Sequence, residues 1–225
     1  MSKRLAVFDL DGTLLYGDTD EYWLKFLVDE RFVDGTKMHA RNDDIQRRYS
    51  EGTASAEEYC FFYLGLLKGH TAKELQPMYA RFFDNVVLPN LPRGAYELVA
   101  KEKGRSDTLV MSTATNAFLS APIGRHLGFE HIIATDPEID GEQRFTGGCV
   151  GLPNMRAHKV PRLHAWLAAR GEGLSSFDES WFYSDSRNDL PLLRAVTNPV
   201  VVDPDRELAA HAGREGWPVL RIHSP

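Results

Sequence analysis

The chain has 225 residues, 43% hydrophobic and 26% charged. That composition suits one large domain, or a core domain with a smaller insertion, and the length suffices for a sizeable apolar core. The 32 Asp and Glu against 26 Lys and Arg give a net charge of −6. Nothing resembles the basic stripe that nucleic acid demands, and no stretch approaches the roughly 20 apolar residues of a membrane span. Cys60 and Cys149 lie far apart without metal-ligand spacing, which fits two small core residues in a reducing cytoplasm rather than a disulfide framework.

The first apolar run, LAVF at 5–8, ends at Asp9 and reads as a buried strand of a parallel sheet. Residues 16–90 then break any strand signal. Helical spacing runs through 21–28, and Ser55/Glu58 and Thr71/Glu74 each look like a capping box before an apolar helical run. The many aromatics here are expected to pack helices. Strand-like runs return at 108–111, 131–134, 181–183, 199–202 and 219–222. Helical patterns lie between them at 95–103, 117–127, 158–170 and 206–215, with glycine just past each one. Gly141, Gly147 and Gly148 among alternating residues suggest a β-hairpin over 136–150. This alternation predicts an α/β fold: a doubly wound, Rossmann-like parallel sheet with an inserted all-helical segment. The expected domains are a core of 1–15 and 91–225 and a helical cap of 16–90.

Chemistry-bearing residues fall at the ends of the expected strands, where open α/β sheets bind ligands. Asp9 and Asp11 follow the first strand at i and i+2, before Gly12. Ser112 and Thr113 end the second. Asp185 and Asp189 follow the strand at 181–183, and Lys159 sits near the start of the helix before it. Alone, Asp-Gly is an ordinary turn and Lys159 an ordinary surface lysine.

Taken together, these positions resemble the haloacid dehalogenase superfamily, and most closely its phosphoserine phosphatase branch. Asp9-Leu-Asp11-Gly-Thr13 is similar to the first motif and Thr113, followed by Ala114, to the second. Lys159 matches the third, and Asp185 with Asp189 the fourth. Two points depart from the pattern: Ser184 stands where a glycine is usual, and Ser112 beside Thr113 is an alternative second-motif hydroxyl. The resemblance implies a Mg²⁺-dependent phosphatase acting through an aspartyl-phosphate. Asp9 would be the nucleophile and Asp11 the general acid and base. Lys159 would supply a charge beside the transferring phosphoryl. Thr113, Ala114 and Asn188 would contact the phosphate. The metal would be held by Asp9, the Asp11 carbonyl and Asp185, with Asp189 supporting that shell. Asp18, nine residues after the nucleophile, either contacts a substrate amine, as the family implies, or caps the first inserted helix.

The expected partner is thus a small phosphorylated metabolite, for example phosphoserine or histidinol phosphate. Neither nucleic acid nor membrane is expected, and no feature sets an oligomeric state. Two other readings stand beside hydrolysis. One is phosphoryl transfer to another acceptor, as in a mutase. The other is a fold that binds phosphate or a partner without chemistry.

Overall fold

The structure is a computed structural model that describes residues 3–105 and 108–223. Strand β1 (Arg4–Phe8) leads into four helices, α1 (Thr19–Asp29), α2 (Gly35–Ser50), α3 (Ala56–Leu64) and α4 (Ala72–Phe82). Then follow α5 (Arg93–Gly104), β2 (Thr108–Asn116), α6 (Ala117–His126), β3 (His131–Thr135) and a hairpin of β4 (Pro137–Ile139) and β5 (Phe145–Cys149). The chain ends with α7 (Lys159–Ala168), β6 (Glu179–Ser184), α8 (Leu190–Leu193), β7 (Asn198–Val202), α9 (Arg206–Glu215) and β8 (Val219–Leu220).

Six strands form one parallel sheet in the order β3-β2-β1-β6-β7-β8. The chain winds outward from β1 on one side, then returns to β6 on the other. The crevice at that reversal is where such sheets bind ligands. The central strands are apolar almost throughout because helices cover both faces.

Local signals account for most of the helices. Both capping boxes are formed, with Ser55 and Glu58 bonding reciprocally at 3.1 and 2.9 Å and Thr71 and Glu74 at 3.1 and 2.8 Å. Gly216 closes α9 in the left-handed conformation, at φ 70°. The hairpin forms where expected, whereas the last strand is shorter than its apolar pattern. Beyond Leu220 the amides of Ile222 and His223 turn to the Asp203 carboxylate at 2.8 and 3.0 Å instead of continuing the ladder. Helix α2 has no counterpart in the sequence reading, because it buries only Ile45 and so lacks an apolar stripe.

One face of the sheet and the inserted helices share a single apolar cluster. Phe8 and Met111 from the sheet join Trp23, Leu27, Tyr79 and Phe82 of the insertion. Trp23 lies 5.0 Å, edge-on, from Phe82 and touches Phe118 of α6, which ties α1 to the core. Its indole nitrogen is buried without a hydrogen-bond partner. Trp23→Ala should therefore lower unfolding free energy by about 3–5 kcal/mol, the usual cost of emptying such a site. Trp23→Phe should cost less than about 1.5 kcal/mol, because it also removes an unsatisfied donor. Denaturant unfolding distinguishes the two, and equal losses would contradict this packing account.

Candidate active site

At the carboxyl ends of β1, β2 and β6 a cavity of about 370 Å³ opens. Asp9, Asp11, Asp18, Asp20, Ala114, Thr115, Arg156, Lys159, Asp185, Asn188 and Asp189 line it, with Tyr49 and Tyr59 from the inserted helices. Strand β1 delivers Asp9, whose amide donates to the Tyr183 carbonyl at 2.9 Å and whose carboxylate accepts from the Leu10 amide at 2.9 Å.

Lys159, only 2% exposed, is the hub. Its Nζ lies 3.0 Å from Asp9 Oδ1 and 2.8 Å from Asp189 Oδ2. Burial pulls its pKa down, but Asp189 and Asp9 outweigh that, so the ammonium stays charged. Asp189 is held in turn by Ser184, whose hydroxyl donates to the same Oδ2 at 2.7 Å and accepts from the Ser186 amide at 3.2 Å. The serine at the usual glycine position thus fixes the carboxylate that holds the lysine.

Asp11 is fixed by four donors. Thr19, the first residue of α1, gives Oδ1 its amide at 2.7 Å and its hydroxyl. Thr115 donates to Oδ2 at 2.6 Å and Thr113 at 3.4 Å. Ser112, fully buried, instead accepts from Asn154 Nδ2 at 3.1 Å. Thr113 thus faces the Asp9/Asp11 turn and Ser112 the scaffold behind it. Thr19 and Thr115 were not singled out in the sequence. Hydroxyls that act only through a distant chain partner carry no local pattern.

Asp185 accepts from the Thr13 hydroxyl at 3.0 Å while its amide donates to the Thr13 oxygen at 3.0 Å. Gly12, at φ 70°, packs so closely that an added Cβ would come within 2.1 Å of Asp185 Oδ2, so only glycine suits this turn. Asn188 lines the cavity beside Asp189. Asp18 caps α1, accepting from the Glu21 amide at 2.9 Å, and lines the cavity as well. Both alternatives for Asp18 are therefore open to the same carboxylate.

One lysine cannot balance these carboxylates. Burial, then repulsion from Asp189, pushes Asp185 up to about 7, and burial with the charge of Asp11 pushes Asp18 up to about 8. Asp9 is raised as well, by burial first, against the pull of Lys159. Among the described residues no three His, Cys, Asp or Glu side chains form a ready-made cage for an ion. Hard carboxylate oxygens in excess of cations, with no preformed cage, match Mg²⁺, which keeps waters and takes only one or two carboxylates. Asp9 and Asp185 are the side chains that fit it.

The fold and this set of strand-end residues define a family. Residues 6–194 match the model of the haloacid dehalogenase-like hydrolases. A histidinol-phosphatase of Neisseria meningitidis serogroup C (strain 8013) is 37% identical over 98% of this chain and 99% of its own length. A phosphoserine phosphatase of Mycobacterium tuberculosis (strain ATCC 25618 / H37Rv) is 28% identical, covering 95% of this chain and 69% of that protein. Among solved structures, a Bordetella pertussis Tohama I protein of unknown function superposes with TM-score 0.93 at 43% identity, over 98% of this chain and 99% of that one. A substrate-bound phosphoserine phosphatase shares the fold, with TM-score 0.68 at 17% identity, over 100% of this chain and 94% of that chain. The chain belongs to the haloacid dehalogenase-like hydrolases, and within them it is a phosphatase.

The raised carboxylates have a consequence for stability. A carboxylate with a raised folded-state pKa contributes stability that is full below its ordinary value of 3.8 and is lost as pH rises through the folded value. For Asp185 that loss spans the range from 3.8 to about 7. The metal-free protein should therefore melt at a lower temperature at pH 8 than at pH 5, and Mg²⁺ should raise the melting temperature far more at pH 8. Thermal melts with and without chelator check this, and a Mg²⁺ effect equal at both pH values would contradict it.

Proposed function

We propose that the protein hydrolyses a small phosphomonoester with Mg²⁺ bound, through an aspartyl-phosphate on Asp9. The observation that carries this reading is Lys159 bridging Asp9 and Asp189 at the strand ends, with Asp11 two residues away and fixed by hydroxyls.

In this reading Asp9 attacks phosphorus and forms an acyl phosphate. Asp11 gives a proton to the departing oxygen, then takes one from the water that hydrolyses the acyl phosphate. Its four donors keep it aimed at that place. Lys159 and the Ala114 amide offset charge on the phosphoryl oxygens, with Thr113 and Asn188 as further contacts. Asp9, the Asp11 carbonyl and Asp185, with Asp189 behind them, would hold the metal, which would supply positive charge to the phosphoryl group. We take residues 16–90 as a cap over a core of 1–15 and 91–225, since Tyr49 and Tyr59 close the cavity from that side. A cytoplasmic location is part of this reading.

The leaving group is proposed to carry an amine. Asp18 and Asp20 sit in the cavity wall beside Tyr49 and Tyr59, an arrangement suited to an organic cation flanked by rings. The relatives named for histidinol phosphate and phosphoserine point the same way, and both esters are amino-bearing. The identity over nearly the full length of the Neisseria relative puts histidinol phosphate first.

The test is a panel of phosphomonoesters with Mg²⁺: histidinol phosphate, phosphoserine, sugar phosphates and nucleotides. Amino-bearing esters should be hydrolysed fastest, and excess chelator should abolish turnover. Asp9→Asn should lose nearly all activity on every ester while still folding, with its circular dichroism spectrum and cooperative unfolding retained. Retention of more than about a tenth of the wild-type rate, roughly 1.4 kcal/mol of barrier, contradicts the nucleophile assignment.

A further inference from the structure

Arg156 is unlike the other arginines near the sheet edge. Arg162 pairs with Asp136 at 2.7 Å, and Arg187 pairs with Glu207. Among the described residues, Arg156 has no carboxylate within ion-pair reach, although it lines a cavity rich in them. Its Nε is buried with no hydrogen-bond partner, and its Nη2 makes a long bond, 3.4 Å, to the Tyr49 carbonyl. The guanidinium instead stacks on the Tyr49 ring, 3.9 Å from the centroid.

The backbone here is also unusual. Arg156 has φ 49°, the left-handed region that non-glycine residues rarely occupy. It opens the short turn Arg156–His158 that runs straight into Lys159 at the head of α7. Such strain persists only where the surroundings enforce it, and it clusters at ligand sites. A strained, unpaired, half-buried arginine three residues before the catalytic-pocket lysine calls for a partner from outside the chain.

We infer that Arg156 binds the phosphoryl oxygens of the substrate, as a second cation beside Lys159 that the family motifs of this chain do not include. The inference rests on the phosphatase reading above. Two features favour the phosphoryl group over an anion elsewhere on the substrate. The remainder of the wall carries Asp18 and Asp20, which offer a second anion no positive charge. Lys159, three residues on in the chain, and Asn188 line the same cavity as Arg156. A planar guanidinium offers two parallel N–H groups to a phosphoryl group, a geometry that an ammonium lacks. The Tyr49 stack holds that plane at the cavity wall.

Arg156→Gly is the cleanest variant, because glycine accepts the left-handed backbone. The readout is inorganic phosphate binding to the Mg²⁺-loaded protein by calorimetry, which needs no turnover. Loss of one charge-assisted contact should weaken phosphate binding about 10- to 100-fold. The melting temperature should be unchanged, and added guanidinium ion should restore part of the affinity and of the rate. Arg156→Lys should fall between variant and wild type. Unchanged phosphate affinity in Arg156→Gly would overturn the inference. So would a loss accompanied by a lower melting temperature that guanidinium does not rescue, which assigns Arg156 to the scaffold. A wild-type protein that binds phosphate but hydrolyses no ester would count against the functional reading and leave the arginine comparison intact.

Discussion

The buried ammonium of Lys159, 3.0 Å from Asp9 and 2.8 Å from Asp189, is the interaction on which the rest of the site depends. Removing charged groups from water costs several kcal/mol per ion, and Asp9, Lys159 and Asp189 are all buried. Their mutual contact, completed by Ser184 and the Leu10 amide, offsets part of that cost at the sheet edge. A single positive charge still falls short of four carboxylates. Burial first, and then repulsion from Asp189, raises Asp185, and the charge shortfall makes a divalent cation the natural complement.

The parallel sheet makes this arrangement possible. Hydrogen-bonded register sets Phe8 beside Tyr183 and Met111, so Asp9 and Asp185, just past the ends of β1 and β6, lie alongside Thr113 near the carboxyl end of β2. The insertion then adds its own part. Thr19, at the start of α1, binds Asp11, so the placement of the first inserted helix and that of the proposed acid are one event. Trp23 and Phe82 anchor the same helix to the apolar face of the core. Packing far from the cavity therefore bears on chemistry within it.

The elements with dense local signals were legible in the sequence. Apolar runs gave the strands, capping boxes gave α3 and α4, and four motifs gave Asp9, Asp11, Thr113, Lys159, Asp185 and Asp189, which the structure gathers at one edge. Residues whose role depends on distant partners were not legible. Helix α2 is polar nearly all round, so no periodicity marked it, yet it supplies Tyr49 to the cavity. Thr115 looks like any strand threonine until Asp11 is seen 2.6 Å away. Arg156 carries no motif, and only its strained backbone and missing counter-ion distinguish it. Asp18 was read as either a helix cap or a substrate contact, and its position allows both.

The central claim is that phosphorus becomes bonded to Asp9. The most direct measurement mixes Asp11→Asn protein with an activated aryl phosphate and Mg²⁺, quenches in acid within the first turnover, and maps the phosphoryl group by peptide mass spectrometry. An activated leaving group departs without help from Asp11, whereas hydrolysis of the acyl phosphate needs that residue as base, so phosphoenzyme should accumulate. The account predicts a phosphoryl adduct on the peptide containing Asp9, absent from Asp9→Asn protein. Release of the aryl alcohol with no adduct, or an adduct on any other residue, would contradict it.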